Sequence, residues 1–238
     1  MTEALFLDHQ TLQKTTATVR SADAAGIVLD RTIFYARSGG QPGDTGVLRW
    51  DGGTTVITDT VKGADGAILH VPAEGSPLPA FGTSVDAEID WERRYRLMRM
   101  HTAMHLLCSL IKGAAVTGGA VGLDKSRLDF DLPDPPAKED LEARLNALIE
   151  ADLPVRFEWV DEARLDDDPA LVRTLSVQPP RGTGRLRLLR IGDDTALVDL
   201  QPCGGTHVSR TGEIGPMRVT KIENKGRQNR RIIIAPAE

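Results

Sequence analysis

The sequence has few of the features that mark secreted, membrane or disulfide-rich proteins. It contains 2 cysteines in 238 residues, and only 4% of its residues are aromatic. Two cysteines exclude a disulfide framework and favour a reducing compartment, so we expect a cytoplasmic protein. The N-terminal sequence MTEALFLDHQ lacks a basic stretch followed by an apolar run, and no signal peptide is expected. No run approaches the roughly 18 apolar residues that would span a membrane.

Nucleotide-binding fingerprints are also missing. The chain has neither the glycine spacing of a dinucleotide-binding loop nor the GK[ST] of a P-loop, so we expect no ATP or NAD site. The remaining composition, 40% hydrophobic and 26% charged, is typical of a globular protein.

The hydrophobic pattern divides the chain near residue 90. Residues 1–90 contain short alternating runs separated by turn formers, which predict a small β-barrel or sandwich. Residues 91–238 mix helical and strand patterns, so the expected class is α+β. The predicted strands are 16–19, 26–29, 46–50, 54–58, 127–132, 185–191, 195–200, 217–222 and 230–235, and the predicted helices are 91–112 and 136–151.

Two pairs of candidate metal ligands stand far apart in the sequence. His101 and His105 share one face of the first predicted helix, and Cys203 and His207 have the same spacing in a glycine-containing loop. Each pair alone is a weak signal, but three imidazoles and one thiolate together suit zinc. Cys108 lies close to the same helix face and is a further candidate, although a small buried residue is the simpler interpretation. Four protein ligands would make the zinc structural and three plus water would make it catalytic, and the spacing leaves both open.

A glycine-rich segment, SGGQPGDTG at residues 38–46, follows the apolar residues Ile33, Phe34 and Tyr35 closely in the sequence. Its glycines allow close approach to a ligand, and Gln41 could present its amide there. Composition alone favours an ordinary hairpin loop.

These motifs together identify a family. The sequence HTAMH at 101–105, CGGTH at 203–207 and the segment containing Gly39, Gly40 and Gln41 resemble the alanyl-tRNA editing proteins of the AlaX type, free-standing relatives of the alanyl-tRNA synthetase editing domain. The resemblance implies a small β-barrel (1–90) followed by an α+β editing domain (91–238) of the kind called the second additional domain in alanyl- and threonyl-tRNA synthetases. It also implies hydrolysis of tRNA(Ala) mischarged with serine, and in some members with glycine.

The same resemblance implies roles for individual residues. One zinc ion per chain would be held by His101, His105, Cys203 and His207. Thr102 would lie beside the metal and help to recognise the serine hydroxyl. Gln41, with Gly39 and Gly40, would face the aminoacylated end of the tRNA, so Thr102 and Gln41 are the expected catalytic and substrate-binding residues.

Two other functions fit the same motifs. One is a zinc-dependent hydrolase of a small ester or amide, and the other is a non-catalytic tRNA-binding module with a structural zinc. The net charge of −5 argues mildly against an RNA partner, but basic residues are clustered on either side of the predicted metal motifs in the sequence. Because phosphate binding depends on local potential, these clusters predict a tRNA-binding face. The candidate phosphate-binding residues are Arg93, Arg94, Lys221, Lys225, Arg227 and Arg230.

Overall fold

A computed structural model describes residues 2–174, 182 and 184–237 of the chain. The chain divides into two compact units, Met1–Arg96 and Leu97–Glu238. The division into a β-barrel domain at 1–90 and an editing domain at 91–238 stays a prediction. Among the described residues, no helix is long and apolar enough to cross a membrane.

The first unit is built on a closed β-barrel, and the α+β class predicted from the sequence is confirmed. Its strands follow the barrel order β2-β3-β7-β6-β5-β8, and β1 pairs with β4 outside the barrel. These strands are β1 (Glu3–Ala4), β2 (Lys14–Asp23), β3 (Gly26–Leu29), β4 (Arg31–Thr32), β5 (Gly46–Trp50), β6 (Gly53–Lys62), β7 (Ile68–Pro72) and β8 (Ser84–Ile89). Strand β8 shows why the barrel forms, since Val85, Ala87 and Ile89 are buried and alternate with polar residues.

The glycine-rich segment makes a tight hairpin on this unit. Ser38 and Gln41 exchange backbone hydrogen bonds of 3.2 and 2.9 Å across Gly39 and Gly40. Both glycines have positive φ, +56° and +82°, which a two-residue hairpin turn of this kind requires. The ordinary-hairpin interpretation is therefore correct for the backbone, while a role in substrate binding stays a prediction.

A buried ion pair ties the end of this segment to the next helix. Arg94 and Asp44 have side chains that are 0% and 1% exposed and form a salt bridge. The Arg94 guanidinium also donates to the carbonyls of Ile33 at 2.7 Å and Gln10 at 3.1 Å. Asp44 in turn accepts from the Tyr35 amide at 2.7 Å. These bonds satisfy both charges away from water.

The second unit contains two antiparallel sheets. One has the strand order β14-β15-β10-β9 and the other β11-β12-β13. The strands are β9 (Val116–Ala120), β10 (Ser126–Asp131), β11 (Val155–Asp161), β12 (Arg185–Gly192), β13 (Leu197–Pro202), β14 (Met217–Asn224) and β15 (Asn229–Pro236). The helices are α1 (Trp91–Leu110), which begins in the first unit, α2 (Lys138–Glu150) and the single turn α3 (Arg164–Asp167). Short 3-10 turns lie in the first unit at Leu5–Leu7 and Ala64–Gly66, and in the second at Pro169–Leu171 and Thr211–Ile214.

Helix α1 is buried over most of its length. The apolar residues that predicted it, such as Leu97, Met100 and Leu107, are buried as expected. His101 and His105 are buried as well, with 7% and 8% exposure. Buried polar side chains need partners, and the partners of these two histidines are described below.

The start of α2 differs from the prediction. The sequence pattern predicts a helix over 136–151, but the helix begins at Lys138 with Ala137 at its N-cap and no side-chain cap. The elements that were not predicted are β1, β4, β7, β8, β9, β11 and α3.

Candidate metal centre

Helix α1 contributes the first pair of candidate ligands. Because residues four apart face the same side of a helix, His101 and His105 bring their rings to a centroid separation of 5.3 Å. Helix α1 is continuous through both residues, so its regular spacing places the two imidazoles side by side.

The loop after β13 contributes the second pair. Cys203 follows the last residue of β13, and its Sγ lies 3.2 Å from His207 Nε2 and 3.8 Å from His101 Nε2. The His207 ring lies 4.3 Å from that of His101 and 4.9 Å from that of His105, centroid to centroid. The loop thus folds its thiol and imidazole back onto the α1 pair.

The structure brings all four predicted ligands together. One potential ligand atom from each of His101, His105, Cys203 and His207 lies within 4.8 Å of the others. Ligands of a tetrahedral zinc, bound at about 2.0–2.3 Å, lie about 3.3–3.8 Å from one another. A set of three imidazoles and one thiolate suits zinc better than the oxygen-seeking magnesium or calcium ions. This cluster could therefore hold a metal ion.

Charge interactions within the cluster favour a thiolate. Burial raises the pKa of Cys203, but the neighbouring His101, His207 and His105 lower it, and the net result is well below the usual value. Burial lowers the pKa of His105, but the Cys203 thiolate and Asp199 raise it to about 10. The anionic sulfur is the form that binds metals.

Cys108 is not a member of the group of four. Its side chain is buried at 4% exposure, and burial raises the pKa of its thiol to about 11. A neutral, buried thiol agrees with the simpler interpretation of this residue.

Asp199 and Gln201 form a hydrogen-bonded chain behind the cluster. Both are buried and face the same side of β13. His105 Nδ1 lies 2.8 Å from Asp199 Oδ2, and Gln201 Nε2 donates to both Asp199 oxygens at 2.9 and 2.8 Å. Sequence reasoning noted this segment but gave neither residue a role in the site. Their spacing of two and four residues before Cys203 on an alternating strand was the available signal.

Thr102 lies next to the cluster, as predicted, and is fully buried. Its hydroxyl donates to the Met98 carbonyl at 2.8 Å, accepts from the Val208 amide at 3.3 Å and lies 3.2 Å from His207 Nδ1. The hydroxyl thus orients a candidate ligand. Its predicted contact with the serine hydroxyl stays a prediction.

Gln41 lies in the first unit, where its side chain is buried at 0% exposure. Its predicted contact with the aminoacylated end of a tRNA stays a prediction, as do those of Gly39 and Gly40.

The predicted phosphate-binding residues differ in their surroundings. Arg94 must be removed from the set, because its guanidinium is buried against Asp44 and does not reach solvent. Arg93 is partly buried and donates to the Gly43 carbonyl at 2.7 Å. Arg230 is partly buried and donates to the Pro133 carbonyl at 2.6 Å.

The other three predicted phosphate-binding residues lie on the β14–β15 hairpin and are exposed. Lys221 and Lys225 keep 64% and 43% of their side-chain surface exposed while pairing with Glu223 at 2.6 and 3.0 Å. Arg227 is exposed between them and the start of β15.

Comparison with known families agrees with the fold and the cluster. Residues 186–233, which include Cys203 and His207, match the model of the threonyl- and alanyl-tRNA synthetase second additional domain. Residues 2–93 match the model of class II (A) tRNA synthetases. The chain is thus of the type found in the editing regions of these synthetases.

Similar proteins define the family more closely. The chain is 37% identical to the alanyl-tRNA editing protein AlaX-M of Methanosarcina acetivorans and 31% identical to that of Saccharolobus solfataricus, with 98% of each chain covered in both comparisons. It is also 38% identical to the alanine–tRNA ligase of Pyrobaculum arsenaticum over 93% of its own length, but it spans only 25% of that ligase. The chain belongs to the alanyl-tRNA editing protein family.

Proposed function

We propose that this protein hydrolyses the ester bond of tRNA(Ala) mischarged with serine, and that it does so with one zinc ion held by His101, His105, Cys203 and His207. The observation that carries the proposal is the convergence of these four side chains in a chain of the alanyl-tRNA editing family. Glycine on the same tRNA is the second substrate to be tested. The small number of cysteines, 2 in the whole chain, supports a cytoplasmic location.

The bound zinc would orient the substrate, polarise the ester carbonyl or lower the pKa of a water molecule. The chain's own residues prepare the site for it. Asp199 accepts a hydrogen bond from His105 and directs the opposite ring nitrogen to the metal. Because Asp199 also accepts from Gln201, we assign it this orienting role and no role as a general base.

Discrimination between serine and alanine would come from the serine hydroxyl. A site that hydrogen-bonds this hydroxyl leaves polar groups unpaired when alanine enters, and such a site rejects alanine strongly. We assign the hydroxyl contact to Thr102, because it is next to His207, and the contact with the aminoacylated end to Gln41 with Gly39 and Gly40.

Phosphate contacts are assigned to Arg93, Lys221, Lys225, Arg227 and Arg230. The exposure of the two lysines supports their part in this proposal. Their shared partner Glu223 lowers the net charge of the hairpin, so we expect each contact to be modest.

Deacylation assays test this proposal directly. Serine release from Ser-tRNA(Ala) is measured with the wild-type protein, with Cys203→Ala and with buffer alone, and Ala-tRNA(Ala) is the matched substrate. We expect rapid release of serine by the wild type, slow release of alanine, and loss of both bound zinc and activity in Cys203→Ala. Serine release no faster than in buffer would refute the proposal.

A tRNA-binding module with a structural zinc is the second candidate. It is favoured by the presence of four converging protein ligands, which can close a tetrahedral site. This function predicts tight binding of tRNA(Ala) that does not depend on serylation, together with no release of serine above the buffer rate.

A further inference from the structure

Arg187 is a buried cation beside the candidate metal centre. It lies on β12, and its side chain leaves the residue only 5% exposed. The guanidinium carbon lies 3.4 Å from the ring centroid of Phe157 on the neighbouring strand β11. Stacking on an aromatic face and hydrogen bonding compensate for the removal of an arginine from water.

Two hydrogen bonds of Arg187 go to the loop that carries two of the candidate ligands. Its Nη1 donates to the carbonyl of Cys203 at 2.9 Å and to that of Gly205 at 3.0 Å. The Gly205 amide in turn lies 3.4 Å from Cys203 Sγ and donates to it. One guanidinium nitrogen therefore fixes two carbonyls of the segment that joins Cys203 to His207.

A segment with two consecutive glycines needs such a restraint. Glycine loses more backbone freedom on ordering than any other residue, so an unrestrained Cys203–Gly204–Gly205 segment would spend much of its time away from the ligating conformation. Arg187 holds the two carbonyls on the side of β12, which leaves the Gly205 N–H directed at the sulfur. Phe157 stacks on the guanidinium and also lies 5.8 Å from the His207 ring, centroid to centroid.

We propose that Arg187 is a positioning residue that clamps the backbone between Cys203 and His207 in the conformation that binds the metal. This inference rests on the metal centre of the proposed function. It assigns Arg187 no contact with substrate or metal, and its effect is to reduce the conformational freedom that metal binding would otherwise have to remove.

Metal affinity is the direct measurement. Zn²⁺ dissociation constants are determined by chelator competition for the wild type, Arg187→Lys and Arg187→Met, and the thiolate-to-metal absorption of the Co²⁺-loaded proteins is recorded. Arg185→Met is the matched control, because Arg185 lies on the same strand and its guanidinium carbon sits 4.9 Å from the ring centroid of Trp159. Unfolding of each metal-free protein shows whether it is folded.

We expect Arg187→Met to bind Zn²⁺ about 10- to 100-fold more weakly and to show an altered Co²⁺ thiolate band. Arg187→Lys, which keeps a donor and the charge without the planar face, should be intermediate, and Arg185→Met should match the wild type. Wild-type affinity in either Arg187 variant, or an equal loss in Arg185→Met, would overturn the clamp. If Arg187→Met does not fold, Arg187→Lys decides in the same way.

The same data separate this inference from the proposed function. A wild-type protein that binds neither Zn²⁺ nor Co²⁺ would refute the metal centre and with it the zinc-dependent mechanism. Tight wild-type binding that is insensitive to Arg187 would overturn only the clamp.

Discussion

Asp199 determines which nitrogen of His105 can face a metal ion. With Nδ1–H donating to the carboxylate, Nε2 is the nitrogen that would lose its proton and bind the metal. Replacing Asp199 by Asn removes the charge and keeps the shape, so we expect Zn²⁺ affinity to fall about 10- to 100-fold. Chelator competition measures this.

Asp193→Asn is the control for that change. Asp193 lies in the turn between β12 and β13 and accepts from Thr195 at 2.9 and 2.6 Å. Its replacement leaves the cluster untouched. An Asp199→Asn protein with wild-type affinity would show that the carboxylate does not support the site.

Thr102 carries the predicted selectivity. Thr102→Val removes the hydroxyl and keeps the volume, and we expect the ratio of serine to alanine release to fall about tenfold, the worth of one hydrogen bond of about 1.4 kcal/mol. Thr102→Ser keeps the hydroxyl and should keep the ratio. An unchanged ratio in Thr102→Val, measured by parallel deacylation assays, would assign serine recognition elsewhere.

At the site, the sequence predicts those ligands that lie close together in the chain, because local backbone geometry alone brings their side chains together. His101 with His105 and Cys203 with His207 were found because ligands four residues apart can converge on one ion. Arg187 was not found, because its role depends on how the strands pair and on hydrogen bonds to backbone carbonyls. Every residue has a backbone carbonyl, so the sequence does not show which ones Arg187 reaches. Arg94 was misassigned, because a cluster of arginines in the sequence does not reveal which one is buried.

At the level of elements, long regular patterns were predicted and pairing-dependent strands were missed. Helix α1 and the hairpin β14–β15 have strong local signals, and both are confirmed within one or two residues at most ends. Strand β9 contains Gly118 and Gly119, which disfavour a strand locally, and it exists because it pairs with β10. Its stability comes from pairing with β10, which is not visible in the local sequence pattern.

Strand β7 carries a histidine, His70, that should make the barrel sensitive to acid. His70 is fully buried, its Nδ1 lies 2.8 Å from the Ile27 carbonyl and its Nε2 lies 2.7 Å from the Thr32 hydroxyl. Burial lowers the pKa of His70 to about 4, although the bond to Ile27 partly raises it. The unfolded chain, with a pKa near 6.5, therefore binds more protons between these values.

Stability contributed by neutral His70 should be complete above pH 6.5 and should be lost as the pH falls toward 4. The loss amounts to about 3 kcal/mol. Denaturant unfolding at several pH values measures it. Glutamine does not titrate, so the free energy of unfolding of His70→Gln should fall by about 3 kcal/mol less than that of the wild type over this range. His9 is exposed, and His9→Gln should show the pH dependence of the wild type. Equal pH dependence in wild type and His70→Gln would contradict this assignment.

At the scale of the whole molecule, the net charge of −5 conceals local basic regions. We expect tRNA affinity to fall steeply as salt is raised, by about tenfold or more between 50 and 200 mM. Lys221→Gln should weaken binding a few-fold and reduce the salt slope by about 1. Filter binding at several salt concentrations measures both.

Lys14→Gln is the control for that experiment. Lys14 is 70% exposed and pairs with Glu88 at 3.2 Å, much as Lys221 pairs with Glu223. The Lys14→Gln variant should therefore leave the tRNA affinity and its dependence on salt unchanged. Salt-independent binding would show that phosphate contacts do not determine the affinity.

The buried pair of Arg94 and Asp44 is important for the stability of the first unit. Arg94→Met leaves a buried carboxylate without its counter-ion, and we expect the free energy of unfolding to fall by about 3–5 kcal/mol. Arg96→Met, an exposed position two residues further along α1, should change it by less than about 0.5 kcal/mol. Equal unfolding curves for the two variants would contradict this view.

The position of Arg94 also limits how this chain can be recombined with its relatives. The composition of the sequence changes at residue 90, yet the first unit runs to Arg96 and includes the first residues of α1. A chimera joined at residue 90 would combine this barrel with the helix of a relative. Asp44 would then face the relative's residue at position 94, which need not be an arginine. A chimera joined after residue 96 would transfer Asp44 and Arg94 together. The natural unit of exchange is therefore the barrel with the beginning of α1.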